Sequence, residues 1–177
     1  MDILAISGST RSASLNTKLA HLIADQRPED TVQVISDLHN VPFYDGDVEA
    51  AGAPEQVLAL RERVAAADLI VFLTPEYNGT IPGVLGNAID WLSRPYGQSV
   101  MIGKRVIVFS ASPSQFGAVR AAAHLRTVLG NFGVQVGEKG VSVHTAHERL
   151  GEAEALKELA AEVADAISTA TAPAPAA

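Results

Sequence analysis

The stretch that decides the fold is Ile3-Leu4-Ala5-Ile6-Ser7-Gly8-Ser9-Thr10-Arg11-Ser12-Ala13-Ser14-Leu15-Asn16. Its four continuous apolar residues, 3–6, are typical of a central parallel strand that is covered on both faces. A polar loop with one glycine follows, and apolar residues then recur with helical spacing at Leu15, Leu19, Leu22 and Ile23. The stretch therefore predicts a strand, a loop and a helix, which together make the first half of a βαβ unit.

The same alternation continues along the rest of the chain. Further strands are predicted at residues 32–34, 69–73, 106–109 and 141–144, and further helices at 57–64, 82–92, 118–129 and 156–167. The second and fifth strands alternate apolar with polar residues, which favours the edges of the sheet. We therefore predict an α/β, flavodoxin-like three-layer sandwich with a five-stranded parallel sheet of order 2-1-3-4-5 and helices on both faces. Residues 1–168 form this single domain, and residues 169–177 are expected to be a disordered Ala/Pro/Thr tail.

Composition limits the chemistry that this domain can perform. The 177 residues are 47% hydrophobic and include no cysteine, so a thiol nucleophile and a thiolate metal site are excluded. Any redox chemistry must come from a bound cofactor. Thirteen Lys and Arg against twenty Asp and Glu give a net charge of -7, which disfavours nucleic acid as a partner. Because no signal-peptide pattern and no long apolar run is seen, we expect a cytoplasmic protein with no membrane partner.

The loops after strands one, three and four are expected to meet, since these strands are neighbours and right-handed crossovers place their following loops at one edge. The first loop, residues 7–16, has five hydroxyls and Arg11 just before a helix N-terminus, a combination suited to a terminal monophosphate. It matches neither GxGxxG nor GxxxxGK[ST], so a dinucleotide pyrophosphate or a nucleoside triphosphate is not indicated. The alternative is a serine-rich turn in which Ser14 simply caps the helix.

The second loop, residues 74–83, suits a flat ligand. The third, residues 110–117, is by itself more often a polar turn than a site, and its predicted place beside the other two loops is what favours a binding role. Two prolines and two glycines in the second loop indicate a specified backbone path, which suits the edge of a planar heterocycle, and Tyr77 adds a flat surface. The alternative is a structured loop with a turn at Asn78-Gly79. A cleft with a phosphate at one end and a flat ring at the other matches the shape of flavin mononucleotide (FMN).

Three motifs carry a family resemblance: Gly8, Ser9, Arg11, Ser14 and Asn16; then Pro75-Glu76-Tyr77-Asn78; then residues 86–94. Together with Pro42-Phe43-Tyr44-Asp45 and Gly103-Lys104, they make the chain resemble the flavodoxin-like NAD(P)H-dependent FMN reductase family, which includes quinone, chromate and azo-dye reductases. The resemblance implies FMN as cofactor and NADPH or NADH as co-substrate. The FMN-binding residues it implies are Ser9, Arg11, Ser14, Leu15, Asn16, Pro75, Glu76, Tyr77, Asn78, Gly79, Ser110 and Ser112.

The resemblance implies that the chain is an oxidoreductase. It would pass hydride from reduced nicotinamide through flavin to a quinone-like or other small electron acceptor. The flavin carries the chemistry, so no side chain is assigned as catalytic acid, base or nucleophile, and no metal site is expected. One alternative is a flavodoxin-type electron carrier that lacks a nicotinamide site. A second is a phosphate-handling α/β enzyme without flavin.

The helix predicted at residues 82–92 has an unusually wide apolar arc, formed by Leu85, Ile89 and Leu92 with Val84, Ala88 and Trp91. A helix that packs only on a sheet needs a narrower apolar arc than this. We therefore predict that it also makes a contact in a homodimer or homotetramer. The alternative is a helix that is deeply buried within one subunit.

Overall fold

The computed structural model describes residues 1–172, which form one parallel sheet with helices on both faces. The strands are β1 Asp2–Ser7, β2 Thr31–Ile35, β3 Leu69–Thr74, β4 Arg105–Ala111, β5 Gln135–Val136 and β6 Ser142–Val143. Their order is β2-β1-β3-β4-β5, and β6 also pairs with β4. The predicted flavodoxin-like α/β fold and its strand order are confirmed.

The helices are α1 Leu15–Gln26, α2 Gly46–Ala51, α3 Glu55–Ala66, α4 Gly83–Leu92, α5 Val119–Gly130, α6 Ala146–Arg149 and α7 Ala153–Thr171. Alternate residues of each central strand point to opposite faces of the sheet. In β1, Ile3 and Ala5 belong to the core on the side of α1 and α7, whereas Leu4 and Ile6 belong to the core on the side of α3, α4 and α5. No helix within residues 1–172 has the length and apolar character that crossing a bilayer requires.

The register of the three central strands, β1, β3 and β4, places their carboxyl ends at the same height in the sheet. Ser7 of β1 pairs with Leu73 of β3, and Thr74 of β3 pairs with Ser110 of β4. The loops β1–α1, β3–α4 and β4–α5 therefore leave the sheet side by side, as the strand order requires.

The fifth strand differs from the prediction, because it is split into β5 and β6 rather than continuous over residues 141–144. β5 pairs with the start of β4, and β6 pairs with its end. Between them the chain passes so close to β4 that a Cβ at Gly140 would overlap the carbonyl oxygen of Val108, and one at Gly137 would lie 2.8 Å from Ile107 Cγ2. The side chain of Arg126 donates to the Gly137 carbonyl beside this break.

The last helix is longer than expected. α7 continues to Thr171, whose hydroxyl donates to the carbonyl of Ile167 at 3.0 Å. The first three residues assigned to the tail, 169–171, are thus helical. Residues 173–177 lie outside the described part of the chain.

The wide apolar arc of α4 is covered within one subunit. Leu85, Ala88, Ile89, Trp91 and Leu92 are all buried, on one side by the sheet and on the other by the segment 41–44. The alternative of a deeply buried helix accounts for the width of the arc. The width of the arc therefore gives no support to a dimer contact, and the dimer stays a prediction.

Candidate functional site

A cleft of about 240 Å³ lies where the three loops meet at the carboxyl ends of β1, β3 and β4. Its lining consists of Ser9, Arg11, Ser14, Leu15, Asn16, Pro75, Glu76, Tyr77, Ala111, Ser112 and Pro113. The convergence of the three loops follows from the strand order alone. Ala111 and Pro113 were not singled out from the sequence, because nothing in their chemistry marks them as binding residues.

Gly8 sets the path of the first loop. Its amide donates to the Leu73 carbonyl at 2.7 Å, and a Cβ on this residue would lie 2.9 Å from Leu85 Cδ2. The loop therefore passes directly over the end of β3 and the start of α4. A larger residue here would lift the phosphate end of the cleft away from the sheet.

The N-terminus of α1 offers free donors at one end of the cleft. The Ser14 hydroxyl accepts from the Thr17 amide at 3.1 Å, so the capping role considered for Ser14 is correct. Capping leaves the amides of Leu15 and Asn16 without partners among the described residues. Two side-chain groups, the exposed guanidinium of Arg11 and the hydroxyl of Ser9, likewise form no hydrogen bond within residues 1–172. Together with the two amides they suit an anion.

Asn16 holds two of the loops together. Its Nδ2 donates to the Ala111 carbonyl at 3.0 Å, and its Oδ1 accepts from the Ala111 amide at 3.0 Å. The side chain is buried, and both of its polar atoms are used by the end of β4. The Asn16 side chain therefore positions the end of β4. Its second Nδ2 hydrogen and its backbone amide are not used by these bonds, and Asn16 lines the cleft, so the contact with FMN phosphate that the resemblance implies stays a prediction.

The second loop forms a rigid turn beside the other end of the cleft. Tyr77 and Thr80 exchange two backbone hydrogen bonds of 3.0 Å around Asn78 and Gly79, whose φ angles are 54° and 78°. Positive φ at both positions is the signature of a type I′ turn, so the Asn78-Gly79 turn is confirmed. These two residues lie outside the lining of the cleft. Within the described chain the amides of Glu76 and Asn78 have no partner, and Tyr77 is half exposed.

Glu76 connects the second loop to α5. One carboxylate oxygen accepts from Arg120 Nε at 2.8 Å and Nη2 at 2.6 Å, while the other accepts from the Ala121 amide at 3.3 Å. The N-cap residue of α5 is Ala118, with φ 61° and no capping side chain, so Glu76 supplies the missing cap from another loop. Forty-four residues separate Glu76 from Arg120, and sequence spacing gives no signal for such a pair.

The two serines predicted in the third loop have different positions. Ser112 lines the cleft, whereas Ser110 is fully buried behind its wall. The Ser110 hydroxyl donates to the Gly117 carbonyl at 2.6 Å and lies 3.0 Å from Ser142 Oγ. Ser110 therefore supports the loop. Its burial gives no support to the predicted contact with FMN, which stays a prediction.

Three cavities are larger than this cleft. One, of about 350 Å³, lies beside the loop that follows β2, and two, of about 590 and 600 Å³, lie at the opposite end of the strands. Of these last two, one is beside Tyr96 and Phe132, and the other is beside Lys104. Size does not identify the site here, because the two largest cavities receive no loop from the carboxyl end of a strand and the third receives one, whereas the 240 Å³ cleft receives three.

A family model for NADPH-dependent FMN reductases matches residues 1–148, which is most of the chain. The chain belongs to the NADPH-dependent FMN reductase family. It is 42% identical over 127 residues to an NAD(P)H-dependent FMN reductase of Pseudomonas aeruginosa, covering 72% of this chain and 68% of the relative. It is 40% identical over 128 residues to a 2-hydroxy-1,4-benzoquinone reductase of a Burkholderia species, covering 72% and 69%.

Among solved structures, the fold is similar to that of FerB, a flavoenzyme NAD(P)H:(acceptor) oxidoreductase from Paracoccus denitrificans. The TM-score is 0.84 at 30% identity, over 96% of each chain. Membership in this family makes the protein an oxidoreductase that uses FMN with NAD(P)H as electron donor. The free donors around Arg11 fit the FMN phosphate, and the turn at Tyr77 fits the flat end of the same molecule.

Proposed function

We propose that this protein reduces a small quinone-like acceptor with electrons from NAD(P)H, using FMN held in the cleft. One observation carries the proposal: the free donors at the N-terminus of α1 face the same cleft as the rigid turn of the second loop. The names of the relatives, an FMN reductase and a benzoquinone reductase, support both the cofactor and the class of acceptor.

Each part of the cleft has a distinct task. FMN, when bound, supplies a centre that takes up hydride from the nicotinamide and delivers two electrons to the acceptor. Arg11 and the Ser9 hydroxyl hold its phosphate, with the amides of Leu15 and Asn16. The amides of Glu76 and Asn78 are free to donate to the polar edge of the ring, where they favour the negative charge that reduction adds.

Glu76 is the one carboxylate in the described lining, and we assign it no proton transfer. Both of its oxygens already accept hydrogen bonds, from Arg120 and from the Ala121 amide. Its task is to hold the second loop against α5. The protons needed for reduction of the acceptor come from water at the open mouth of the cleft.

Anaerobic reduction of the purified protein tests this proposal against a flavodoxin-type electron carrier. We expect a yellow protein whose flavin absorbance is bleached by NADPH or NADH alone and restored by a benzoquinone. Flavin that resists both nicotinamides but accepts electrons from dithionite would identify the carrier. A protein that takes up no FMN on titration would overturn both.

The proposal extends to assembly and location. The chain forms a homodimer or a homotetramer, and the exposed rings of Phe43 and Tyr96, which a partner subunit would cover, support this. The absence of cysteine fits a reducing compartment, which supports the cytoplasm. Sedimentation of the purified protein and fractionation of the cells that produce it test these two points.

A further inference from the structure

We infer that His124 of α5 is a positioning residue of the proposed reductase. It holds Thr80, and through Thr80 it fixes the turn at Asn78-Gly79 that presents a free amide for the polar edge of the flavin. The inference rests on the proposed function, because that function gives the amide its ligand. His124 does not line the cleft, so it acts only through the second loop.

Two side-chain contacts join the second loop to α5. Glu76 accepts from Arg120 and from the Ala121 amide, as described above. Thr80 Oγ1 lies 2.6 Å from Nδ1 of His124, which follows it by forty-four residues. Arg120 and His124 are four residues apart in α5, so their side chains share one face of the helix. The turn is therefore held against α5 on both sides, at residues 76 and 80.

The position of Thr80 sets the direction of the Asn78 amide. The Thr80 amide donates to the Tyr77 carbonyl at 3.0 Å, and the Thr80 carbonyl accepts from the Tyr77 amide at the same distance. The Tyr77 carbonyl and the Asn78 N–H belong to one planar peptide unit and point in opposite directions. A shift of Thr80 therefore turns the Asn78 N–H, which has no partner within residues 1–172.

His124 is the one support that Thr80 has outside its own turn. Apart from the two backbone bonds to Tyr77, the contact with His124 is the only hydrogen bond that Thr80 forms in the described chain. The His124 side chain is exposed, whereas the neighbouring Leu125 is buried in the core. Removal of the imidazole should therefore free this end of the loop and leave the packing of α5 intact.

A correctly placed amide favours reduced flavin over oxidised flavin. Reduction adds negative charge at the polar edge of the ring, and a hydrogen bond to a charged acceptor is stronger than one to a neutral acceptor. A loose turn should therefore weaken the binding of reduced FMN more than the binding of oxidised FMN. The midpoint potential of bound FMN reports this ratio of affinities.

Stepwise reduction of the FMN-loaded protein with dithionite, against a reference dye, measures that potential without any nicotinamide. In His124→Leu the ratio of affinities for reduced and oxidised FMN is expected to fall about 3- to 10-fold, the scale of one hydrogen bond. This equals a potential lower by about 15–30 mV for a two-electron couple. An unchanged potential in His124→Leu would overturn the inference.

Two further variants separate the contact from a general effect of substitution. His124→Asn places a polar atom where Nδ1 stands and is expected to keep most of the wild-type potential. His21→Leu is the matched control, because it removes an exposed histidine of α1 whose side chain forms no hydrogen bond within residues 1–172. It is expected to leave the potential unchanged. Circular dichroism checks that each variant is folded.

Thr80→Val removes the same contact from the loop side. If His124 acts through Thr80, the double variant His124→Leu/Thr80→Val should have the same potential as either single variant. Effects that add would mean that His124 acts by another route, and they would overturn the assignment.

Hydrogen exchange of the apoprotein gives a measurement that involves no flavin. The amides of Tyr77 and Thr80, which close the turn, are expected to exchange about 3-fold faster or more in His124→Leu. The Ala121 amide, which Glu76 holds, should keep its wild-type rate. Unchanged exchange at Tyr77 and Thr80 would contradict the positioning role.

These outcomes are distinct from those that test the proposed function. Wild-type FMN that NADPH and NADH fail to reduce would reject the reductase, yet dithionite would still report whether His124 sets the potential. Normal reduction of wild-type FMN by NAD(P)H, together with an unchanged potential in His124→Leu, would reject the inference alone.

Discussion

Arg11 stands at the open end of the cleft with no partner within the described chain, and we therefore expect its charge to be available to the cofactor. Replacing it with alanine is predicted to weaken FMN binding by about 1.5–3 kcal/mol, the scale of a hydrogen bond to a charged group. Titration of apoprotein with FMN, followed by flavin fluorescence, measures this. Arg11→Lys is the matched control and should lose less. Unchanged affinity in Arg11→Ala would remove this residue from the phosphate site.

Asn16 makes a further kind of contribution, because its side chain holds two loops of the protein together. In Asn16→Ala the buried amide and carbonyl of Ala111 lose their partners, so the free energy of unfolding should fall by about 1–3 kcal/mol. Urea denaturation of the apoprotein checks this without any flavin. Asn131→Ala, at an exposed position after α5, should change little. Equal stability of Asn16→Ala and wild type would contradict the positioning role.

The residues of the first loop could be predicted from the sequence, but which of them caps the helix, bridges two loops or contacts a ligand could not. A serine or an asparagine before a helix carries the same signal whether it caps the helix, bridges two loops or contacts a ligand. The Ser14 hydroxyl caps α1, the Asn16 side chain bridges to Ala111, and the Ser9 hydroxyl forms no hydrogen bond among the described residues. Only the three-dimensional structure separates these roles. The same limit explains Ser110, whose polar side chain after a strand resembles a ligand contact and is buried instead.

At the scale of elements, α5 depends on a loop that precedes it by more than forty residues. Glu76→Gln keeps the size of the side chain but removes its negative charge. That charge interacts with Arg120 and with the N-terminus of α5. We predict a loss of about 0.5–2 kcal/mol in stability, with faster hydrogen exchange at the Ala121 amide. Arg120→Ala removes only the largely exposed ion pair and should cost less, about 0.2–1 kcal/mol. A larger loss in Arg120→Ala would mean that the cap contributes little.

The strands and long helices could be predicted because continuous apolar runs and helical spacing reflect burial directly. The break between β5 and β6 could not, since it follows from how closely the chain approaches β4. We predict that Gly140→Ala lowers the melting temperature, because its Cβ has no room beside Val108 and Arg126. Gly86→Ala, inside α4, should raise the melting temperature slightly, because its Cβ would make only an ordinary contact of 3.9 Å with Ile81 Cδ1. Comparable shifts of the same sign in both variants would argue against the close approach.

At the scale of the whole molecule, the cofactor should behave as part of the fold. FMN at 100 times its dissociation constant is expected to raise the free energy of unfolding by about 2.7 kcal/mol. Riboflavin at the same concentration, which has the ring but no phosphate, should raise it much less. Arg11→Ala should reduce the stabilisation by FMN and leave that by riboflavin unchanged. Thermal denaturation with each ligand measures both effects, and equal stabilisation by the two ligands would locate the phosphate outside the protein.

The gap between β5 and β6 also affects the tendency of this protein to aggregate at high concentration. An outer strand with a long run of free amides and carbonyls invites a strand from a neighbouring molecule to lie alongside it. Here the stretch that remains beside β4 is two residues long at either end, and a cationic side chain, Arg126, is fixed between them. Burial lowers the pKa of Arg126, but a guanidinium keeps its charge in proteins. A strand from another molecule would have to displace this charge to pair with β4. The edge of the sheet therefore resists aggregation by strand addition.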